Sequence, residues 1–154
     1  MLARLSISAH ANESSLRTLS WRWASVQNRV LAALPSPDRG LLTPHLQRIS
    51  FGADTVLVRS DEELRDVYFP HSGAVAFMLD MPDGQTVATA LVERDGAVGS
   101  LSVLGPSGSP VTAVGRVAGT ASHISSANFH AAYMQSLAIR QIVQVHCTHT
   151  TKTA

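Results

Sequence analysis

Three potential metal ligands, His146, Cys147 and His149, lie close together near the C-terminus. Zinc sites use imidazole and thiolate ligands, but they also need a fixed geometry and supporting groups around the ligands. The surrounding residues, 146–154, are rich in threonine and lack an apolar pattern, which predicts a frayed tail without such support. We therefore expect neither a metal site nor a cofactor.

The other reactive side chains show no catalytic spacing. His45, His123 and His130 have no partner at metal-ligand spacing, and we interpret them as scaffold. His71 lies in a Pro-His-Ser-Gly segment, where it could touch a ligand, although a surface turn position is the main expectation. Cys147 has only histidines beside it to activate a thiolate. Because no catalytic triad, phosphate-binding loop or dinucleotide fingerprint stands out, the sequence does not predict an enzyme.

Composition limits the class of protein. The chain has 154 residues, 45% of them hydrophobic, which predicts one domain with a real core. Its 12 basic and 11 acidic residues leave a net charge of +1, which favours neither nucleic acid nor an anionic membrane. The single cysteine excludes an internal disulfide, and no apolar run is long enough to cross a membrane. A cytoplasmic location fits these features best.

Helices are predicted before any strand. Residues 1–22 are rich in serine and arginine and predict a flexible arm. Helical spacing of apolar residues starts near Trp23 and ends at Pro35. Ser36 is then expected to cap a second helix, with Pro37 at its first position.

Short β-strands follow, separated by turns that contain glycine or proline. The central pair, Val67–Phe69 and Ala74–Leu79, flanks Pro70-His71-Ser72-Gly73 and predicts a hairpin, because proline and glycine suit a tight reversal. The other predicted strands are Arg48–Phe51, Thr55–Val58, Thr86–Val92, Gly96–Leu104, Val111–Val117 and Thr120–Ile124. Many short strands with such turns predict a sandwich or a barrel.

Two helical patterns complete the chain. Ser125 or Ser126 can cap a helix that contains Phe129. From Ser136 to about His146, a further pattern presents five apolar residues, namely Leu137, Ile139, Ile142, Val143 and Val145. One short helix needs less apolar surface than this against its own barrel, so we expect a weak homodimer through the helix that starts at Ser136.

Several motifs, in this order and spacing, resemble Crp/Fnr-type transcription regulators over about residues 26–140. They are Asn28-Arg29-Val30-Leu31-Ala32-Ala33-Leu34-Pro35, Leu41-Leu42-Thr43-Pro44-His45-Leu46, Tyr68-Phe69-Pro70-His71-Ser72-Gly73, Asp83-Gly84-Gln85-Thr86 and Asp95-Gly96-Ala97-Val98-Gly99. The resemblance implies a mainly β fold with flanking helices, a cyclic-nucleotide-binding-like jelly-roll β-barrel of eight strands. It also implies that this domain covers residues 23–135 and that residues 136–154 form a shortened dimerisation helix with a frayed tail.

Nucleotide-binding members of that family carry a phosphate cassette, in which a Gly-Glu pair holds the ribose and an arginine neutralises the cyclic phosphate. Here Gly99 is followed by Ser100, and the arginine position falls at Val111 or Thr112. Arg116 comes later, in a register that does not suit the missing role. The resemblance thus implies a degenerate effector cassette that does not bind cyclic AMP or cyclic GMP in the usual way. Its positions are Gly99, Ser100, Thr112, Ala113 and Arg116.

Family members continue into a winged helix-turn-helix that reads DNA, and this sequence ends where that domain is expected to begin. We therefore predict a non-catalytic sensory domain of a truncated regulator, with an unidentified small-molecule effector and no DNA binding by this chain alone. The alternative is a small cupin-like jelly-roll metalloenzyme, which needs histidine and glutamate ligands inside the barrel. The strands offer few such residues: Glu93 lies near a strand end and His123 stands alone.

Overall fold

The computed structural model describes residues 28–100, 109 and 111–153, with side chains as far as residue 145. Two short helices come first, α1 at Arg29–Ala33 and α2 at Ser36–Leu42, followed by a 3-10 turn at Thr43–His45. The predicted flexible arm and the predicted helix start near Trp23 lie outside the described residues. The helix pattern up to Pro35 is confirmed from Asn28 onward.

The predicted cap of the second helix is displaced by one residue. Ser36 is the first residue of α2, and Pro35 occupies the N-cap position without a side-chain hydrogen bond to the helix. The carbonyl of Pro35 already accepts from the Arg39 N–H at 2.9 Å. The helix therefore begins one residue earlier than the serine rule predicts, because proline itself forms the boundary.

Seven strands in the described residues form two antiparallel sheets. The strands are β1 Gln47–Phe51, β2 Val56–Val58, β3 Asp66–Pro70, β4 Ala74–Asp80, β5 Thr86–Val92, β6 Thr112–Val117 and β7 Gly119–Ser125. One sheet has the order β1-β7-β3 and the other the order β2-β6-β4-β5. The predicted strand at Gly96–Leu104 is reduced to a single bridge between Val98 and Tyr68 in the described part. Within the described residues the jelly roll is thus an open pair of sheets, not the closed barrel implied by the resemblance.

The segment Pro70–Gly73 does not form a hairpin, contrary to the prediction. β3 pairs with β7, whereas β4 lies between β5 and β6 in the other sheet. The N–H groups of the two central residues of the segment both donate to Thr120 O on β7. Gly73 has φ +75°, and a Cβ there would lie 2.5 Å from Val117 O, so only glycine fits against the crossing chain. The segment carries the chain from one sheet to the other.

Two helices follow the sheets. The first, α3, spans Ser126–Gln135 and is capped by Ser125, whose hydroxyl accepts from the Asn128 N–H, as predicted. The second, α4, spans Leu137–Thr153, so its backbone is helical through the residues predicted to fray, and the fraying itself stays a prediction. Threonine is a poor helix former but not a helix breaker, and no glycine or proline interrupts this stretch. Among the described residues, no helix is long and apolar enough to cross a membrane.

The core lies between the sheets and under the helices. Phe69 on β3 packs against Phe129 on α3 with ring centroids 6.2 Å apart, and both side chains are 1% exposed. Ile139 and Val143 of α4 are buried as well, so one face of α4 packs against its own domain. The helices thereby fix the position of the sheets that carry the candidate site.

Candidate functional site

Gly99 and Ser100 follow a short bridge between two chain segments. The backbones of Val98 and Tyr68 exchange hydrogen bonds of 2.8 and 3.0 Å. Gly99 has φ +87°, and a Cβ there would lie 3.0 Å from Leu64 Cδ1. Both the backbone conformation and the close approach therefore favour glycine. Ser100 is 6% exposed, so an uncharged hydroxyl is buried where the resemblance places a carboxylate.

The β6 positions of the cassette are attached to the connection between β2 and β3. Thr112 Oγ1 accepts from the Ser60 N–H at 3.1 Å, and the N–H of Asp61 donates to Ser109 O at 2.9 Å. Ala113 is 1% exposed and pairs with a strand on each side. Leu64 of the same connection lies close to Gly99, so Gly99 and Thr112 both border this connection, whereas Thr112 and Ala113 face opposite sides of β6. The cassette positions Gly99, Ser100, Thr112 and Ala113 lie on either side of residues 101–108, which are outside the described residues.

Arg116 lies on the opposite face of β6 from Ala113. Ala113 and Gly115 are buried, so alternation along β6 turns the Arg116 side chain, like that of Thr112, to the outer face, where Arg116 is exposed and lines the same depression as Thr112. This depression has a volume of about 320 Å³ and is lined by Asp54 and Asp80 as well. The structure therefore does not bring the Arg116 guanidinium together with Gly99 and Ser100.

A second cavity, which the sequence did not reveal, lies beside the cassette region. It has a volume of about 290 Å³ and is lined by Leu57, Val58, Arg59, Glu62, Glu63, Leu64, Arg65, Asp66 and Tyr68. Its two arginines face three carboxylates, so its charge is close to balanced. Burial and then the Asp66 carboxylate raise the pKa of Tyr68.

His123 has a carboxylate partner and an aromatic partner across the strand. Its Nδ1 lies 3.3 Å from Asp66 Oδ1, and its ring stacks on Tyr68 with centroids 5.9 Å apart. Strand register explains the contact, because His123 on β7 lies opposite Tyr68 on β3. In the sequence, strand alternation predicts that Asp66 and Tyr68 lie on the same face of one strand, but it does not identify the strand that pairs with it.

His71 is buried, which corrects the surface turn position predicted for it. Its side chain is 3% exposed. Nδ1 accepts from the Asn28 N–H at 2.9 Å, and Nε2 lies 2.7 Å from Ser122 Oγ. The Pro-His-Ser-Gly pattern indicates a turn but carries no information about what covers it.

The metal and enzyme alternatives find little support in this geometry. No group of three histidine, cysteine or acidic side chains converges on a metal position in the part of the chain whose side chains are described. The side chains of His146, Cys147 and His149 lie outside that part. Glu93 is exposed and His123 pairs with Asp66, so the ligands required by a cupin-like centre do not come together.

A comparison with family models decides the identity of the fold. Residues 48–136, more than half of the chain, match the model of the cyclic nucleotide-binding domain. The chain belongs to this family. As a cyclic nucleotide-binding domain it has the expected mainly β architecture with flanking helices, and among the curated proteins none matches it.

Solved structures of this domain lie close to the chain in fold. The c-di-GMP-responsive global regulator CLP of Xanthomonas campestris superimposes with a TM-score of 0.66 at 15% identity, over 77% of this chain and 60% of CLP. The sensor domain of the transcriptional regulator DNR from Pseudomonas aeruginosa gives 0.66 at 12% identity, over 87% of this chain and 89% of that domain.

A kinase subunit shares the fold as well. The regulatory subunit of a cAMP-independent protein kinase A from Trypanosoma cruzi, bound to guanosine, gives a TM-score of 0.67 at 15% identity, over 76% of this chain and 41% of that protein. The chain thus spans less than two thirds of the length of CLP and of this subunit. Crp/Fnr-type regulators are among its structural neighbours, as the resemblance implied.

Proposed function

We propose that this chain is a non-catalytic sensory domain whose effector cassette has lost the groups that hold a cyclic phosphate. Its cyclic nucleotide-binding fold and its Crp/Fnr-type neighbours support a regulatory role. A cytoplasmic location is part of the proposal, since the single cysteine allows no disulfide within the chain. The cupin-like metalloenzyme is set aside.

One observation carries the proposal. The cassette positions Gly99, Ser100, Thr112 and Ala113 carry no charged side chain. The Thr112 hydroxyl already accepts a hydrogen bond from the Ser60 N–H, and Arg116 faces the outer depression with Asp54 and Asp80. A buried phosphodiester needs a charge-assisted donor, because its desolvation otherwise costs several kcal/mol. These positions do not supply one.

An uncharged effector follows from the same argument. The guanosine-bound kinase subunit has this fold, and guanosine is a nucleoside without a phosphate. Because Gly99, Ser100, Thr112 and Ala113 carry no cationic side chain, these positions gain nothing from the phosphate of a nucleotide. We therefore propose a neutral small molecule of nucleoside size as the effector class.

Calorimetry with guanosine and cyclic GMP tests the proposal, because the two ligands share a base and a ribose and differ in the phosphate. We expect cyclic GMP to bind no more tightly than guanosine, and neither cyclic GMP nor cyclic AMP to reach sub-micromolar affinity, about −8 kcal/mol. An affinity for cyclic GMP at least tenfold above that for guanosine would show that the chain recognises the phosphate. That result would overturn the proposal.

Self-association through α4 completes the proposed function. Leu137 and Val145 on α4 are 61% and 54% exposed, whereas Ile139 and Val143 of the same helix are buried in their own domain. Leu91 on β5, the strand next to α4, is 50% exposed. These side chains support a weak symmetric homodimer, which covers apolar surface with the same patch on both subunits.

A further inference from the structure

Three buried polar residues from distant parts of the chain form one hydrogen-bonded cluster. Asn28 precedes α1, His71 lies between β3 and β4, and Ser122 belongs to β7. Their side chains are 0%, 3% and 5% exposed. The Asn28 N–H donates to His71 Nδ1 at 2.9 Å, and His71 Nε2 lies 2.7 Å from Ser122 Oγ. The imidazole thus connects the beginning of the first helix to the three-stranded sheet.

The partners of the imidazole determine its protonation state. A backbone N–H can only donate, so Nδ1 of His71 must offer a lone pair. In the neutral ring the proton then resides on Nε2, which donates to Ser122 Oγ. A protonated imidazole carries hydrogen on both nitrogens and has no acceptor. Protonation would therefore place two donors face to face at the Asn28 N–H and leave that buried group without its acceptor, at the cost of an unsatisfied donor.

Asn28 holds the first helix to the sheets. Its side-chain amide donates to Pro70 O and to Gly96 O, both at 2.8 Å. Its Oδ1 accepts from the N–H groups of Val30 and Leu31, which caps α1. Displacement of Asn28 would therefore disturb the cap of α1 and break the two hydrogen bonds from its side chain to Pro70 O and Gly96 O.

Charged groups around the cluster also oppose an imidazolium. Arg48 on β1 lies directly opposite Ser122 in the sheet and donates to Thr120 Oγ1 at 3.4 Å, and burial lowers the pKa of its guanidinium. A second cation on this face is unfavourable because like charges repel. Asp66 on β3 and His123 on β7 are half-buried, with His123 Nδ1 3.3 Å from Asp66 Oδ1, whereas Arg29 beside Asn28 and Glu93, Arg94 and Asp95 on the loop that carries Gly96 are exposed.

We propose that His71 is a proton-operated latch that keeps Asn28 and α1 on the sheets while its ring is neutral and releases them when the ring is protonated. The released state binds one proton more than the closed state. Its equilibrium constant therefore rises about tenfold per pH unit as the pH falls below the ordinary histidine value of about 6.5. The latch adds to a sensory domain a conformational response that needs no effector.

The latch is tested by urea unfolding of the full chain between pH 8 and pH 5. The variant His71→Gln replaces the ring by an amide that accepts and donates but does not titrate. The matched control is His130→Gln, at an exposed position on α3. We expect the unfolding constant of the wild type and of the control to rise as the pH falls, by up to tenfold per pH unit. In His71→Gln this rise should be smaller, because unfolding then takes up about one proton less. Equal pH dependence in all three proteins would overturn the proposal.

A measurement on the wild type covers the case in which His71→Gln does not fold. Nitrogen NMR of the imidazole distinguishes the two neutral tautomers, and amide hydrogen exchange reports the opening of Asn28. We expect the proton of the neutral ring on Nε2. We also expect hydrogen exchange of the Asn28 backbone N–H to become faster on acidification, relative to its intrinsic exchange rate. A proton on Nδ1, or an Asn28 amide whose opening is independent of pH, would each contradict the latch.

Discussion

The Ser136 hydroxyl donates to Asp38 Oδ1 at 2.6 Å, and this contact joins the start of α4 to the first turn of α2 across 98 positions of sequence. Ser136 Oγ also accepts from the Ile139 N–H at 3.1 Å, so the same hydroxyl caps α4. The Asp38 carboxylate lies in the first turn of α2, where the helix dipole favours a negative charge. One buried serine thus orients the helix proposed to carry the dimer contact.

Ser136→Ala is expected to lower the free energy of unfolding by about 1–2 kcal/mol, because it removes a helix cap and a charge-assisted hydrogen bond together. Urea denaturation measures the change. The control Glu63→Ala, at an exposed position, should stay within about 0.5 kcal/mol of the wild type. An effect of Ser136→Ala no larger than that of the control would remove Ser136 from this role.

Charge restored to the cassette should restore phosphate recognition. The double variant Ser100→Glu, Val111→Arg reinstates the pair that the resemblance assigns to ribose and phosphate binding. We expect its affinity for cyclic AMP or cyclic GMP to rise at least tenfold over the wild type in calorimetry, since an arginine supplies a charge-assisted donor. Val111→Gln is the uncharged control. No gain from the double variant, in a protein shown to be folded, would mean that another feature excludes the nucleotide.

The dimer is best tested at Val145. Ile142 is partly buried against its own core, so Ile142→Asp would disturb the fold as well as an interface. Val145→Asp changes a side chain that is 54% exposed, and Gln141→Asp adds the same charge at another exposed position of α4. Sedimentation over a concentration series should show reversible association of the wild type and of Gln141→Asp, and its loss in Val145→Asp. A wild-type monomer at all concentrations would contradict the dimer.

Tyr68 should titrate above the ordinary tyrosine value of about 10. Burial is the first cause of its raised pKa and the Asp66 carboxylate is the second. The native state therefore keeps the phenolic proton longer than the unfolded chain does, so this contribution to stability is present below pH 10 and is lost as the pH rises further. Absorbance titration measures the shift, with Tyr68→Phe to assign it. Asp66→Asn should lower the pKa only part of the way, and a full return to the ordinary value would contradict the dominant role of burial.

The 154-residue chain should bind duplex DNA weakly at most. Its net charge is +1, and phosphate contacts require clustered lysine and arginine side chains. Gel retardation should therefore show only binding that is abolished at physiological salt and shows no sequence preference. Sequence-specific retardation under those conditions is the opposing outcome.

Local sequence patterns predict much of the secondary structure. The turn Met81–Gln85 joins β4 to β5 as glycine and proline at that spacing predict, and Ser125, one of the two serines predicted to cap α3, does so. Seven of the predicted strands occur at their predicted places within a residue or two, because alternation and turn residues act over a few neighbours. The order and spacing of the motifs locate the cassette positions in the sequence, and their chemical role stays a prediction.

What the sequence by itself determined, therefore, is the succession of short strands and helices and the lack of charge at four cassette positions. The tertiary structure alone decided that β3 pairs with β7, that His71 is buried against Asn28 and Ser122, and that Arg116 faces away from Gly99. Local propensity acts between neighbours in the chain, whereas strand partners and the burial of a turn depend on residues 43 to 51 positions away. Such distant contacts form only when the whole core closes.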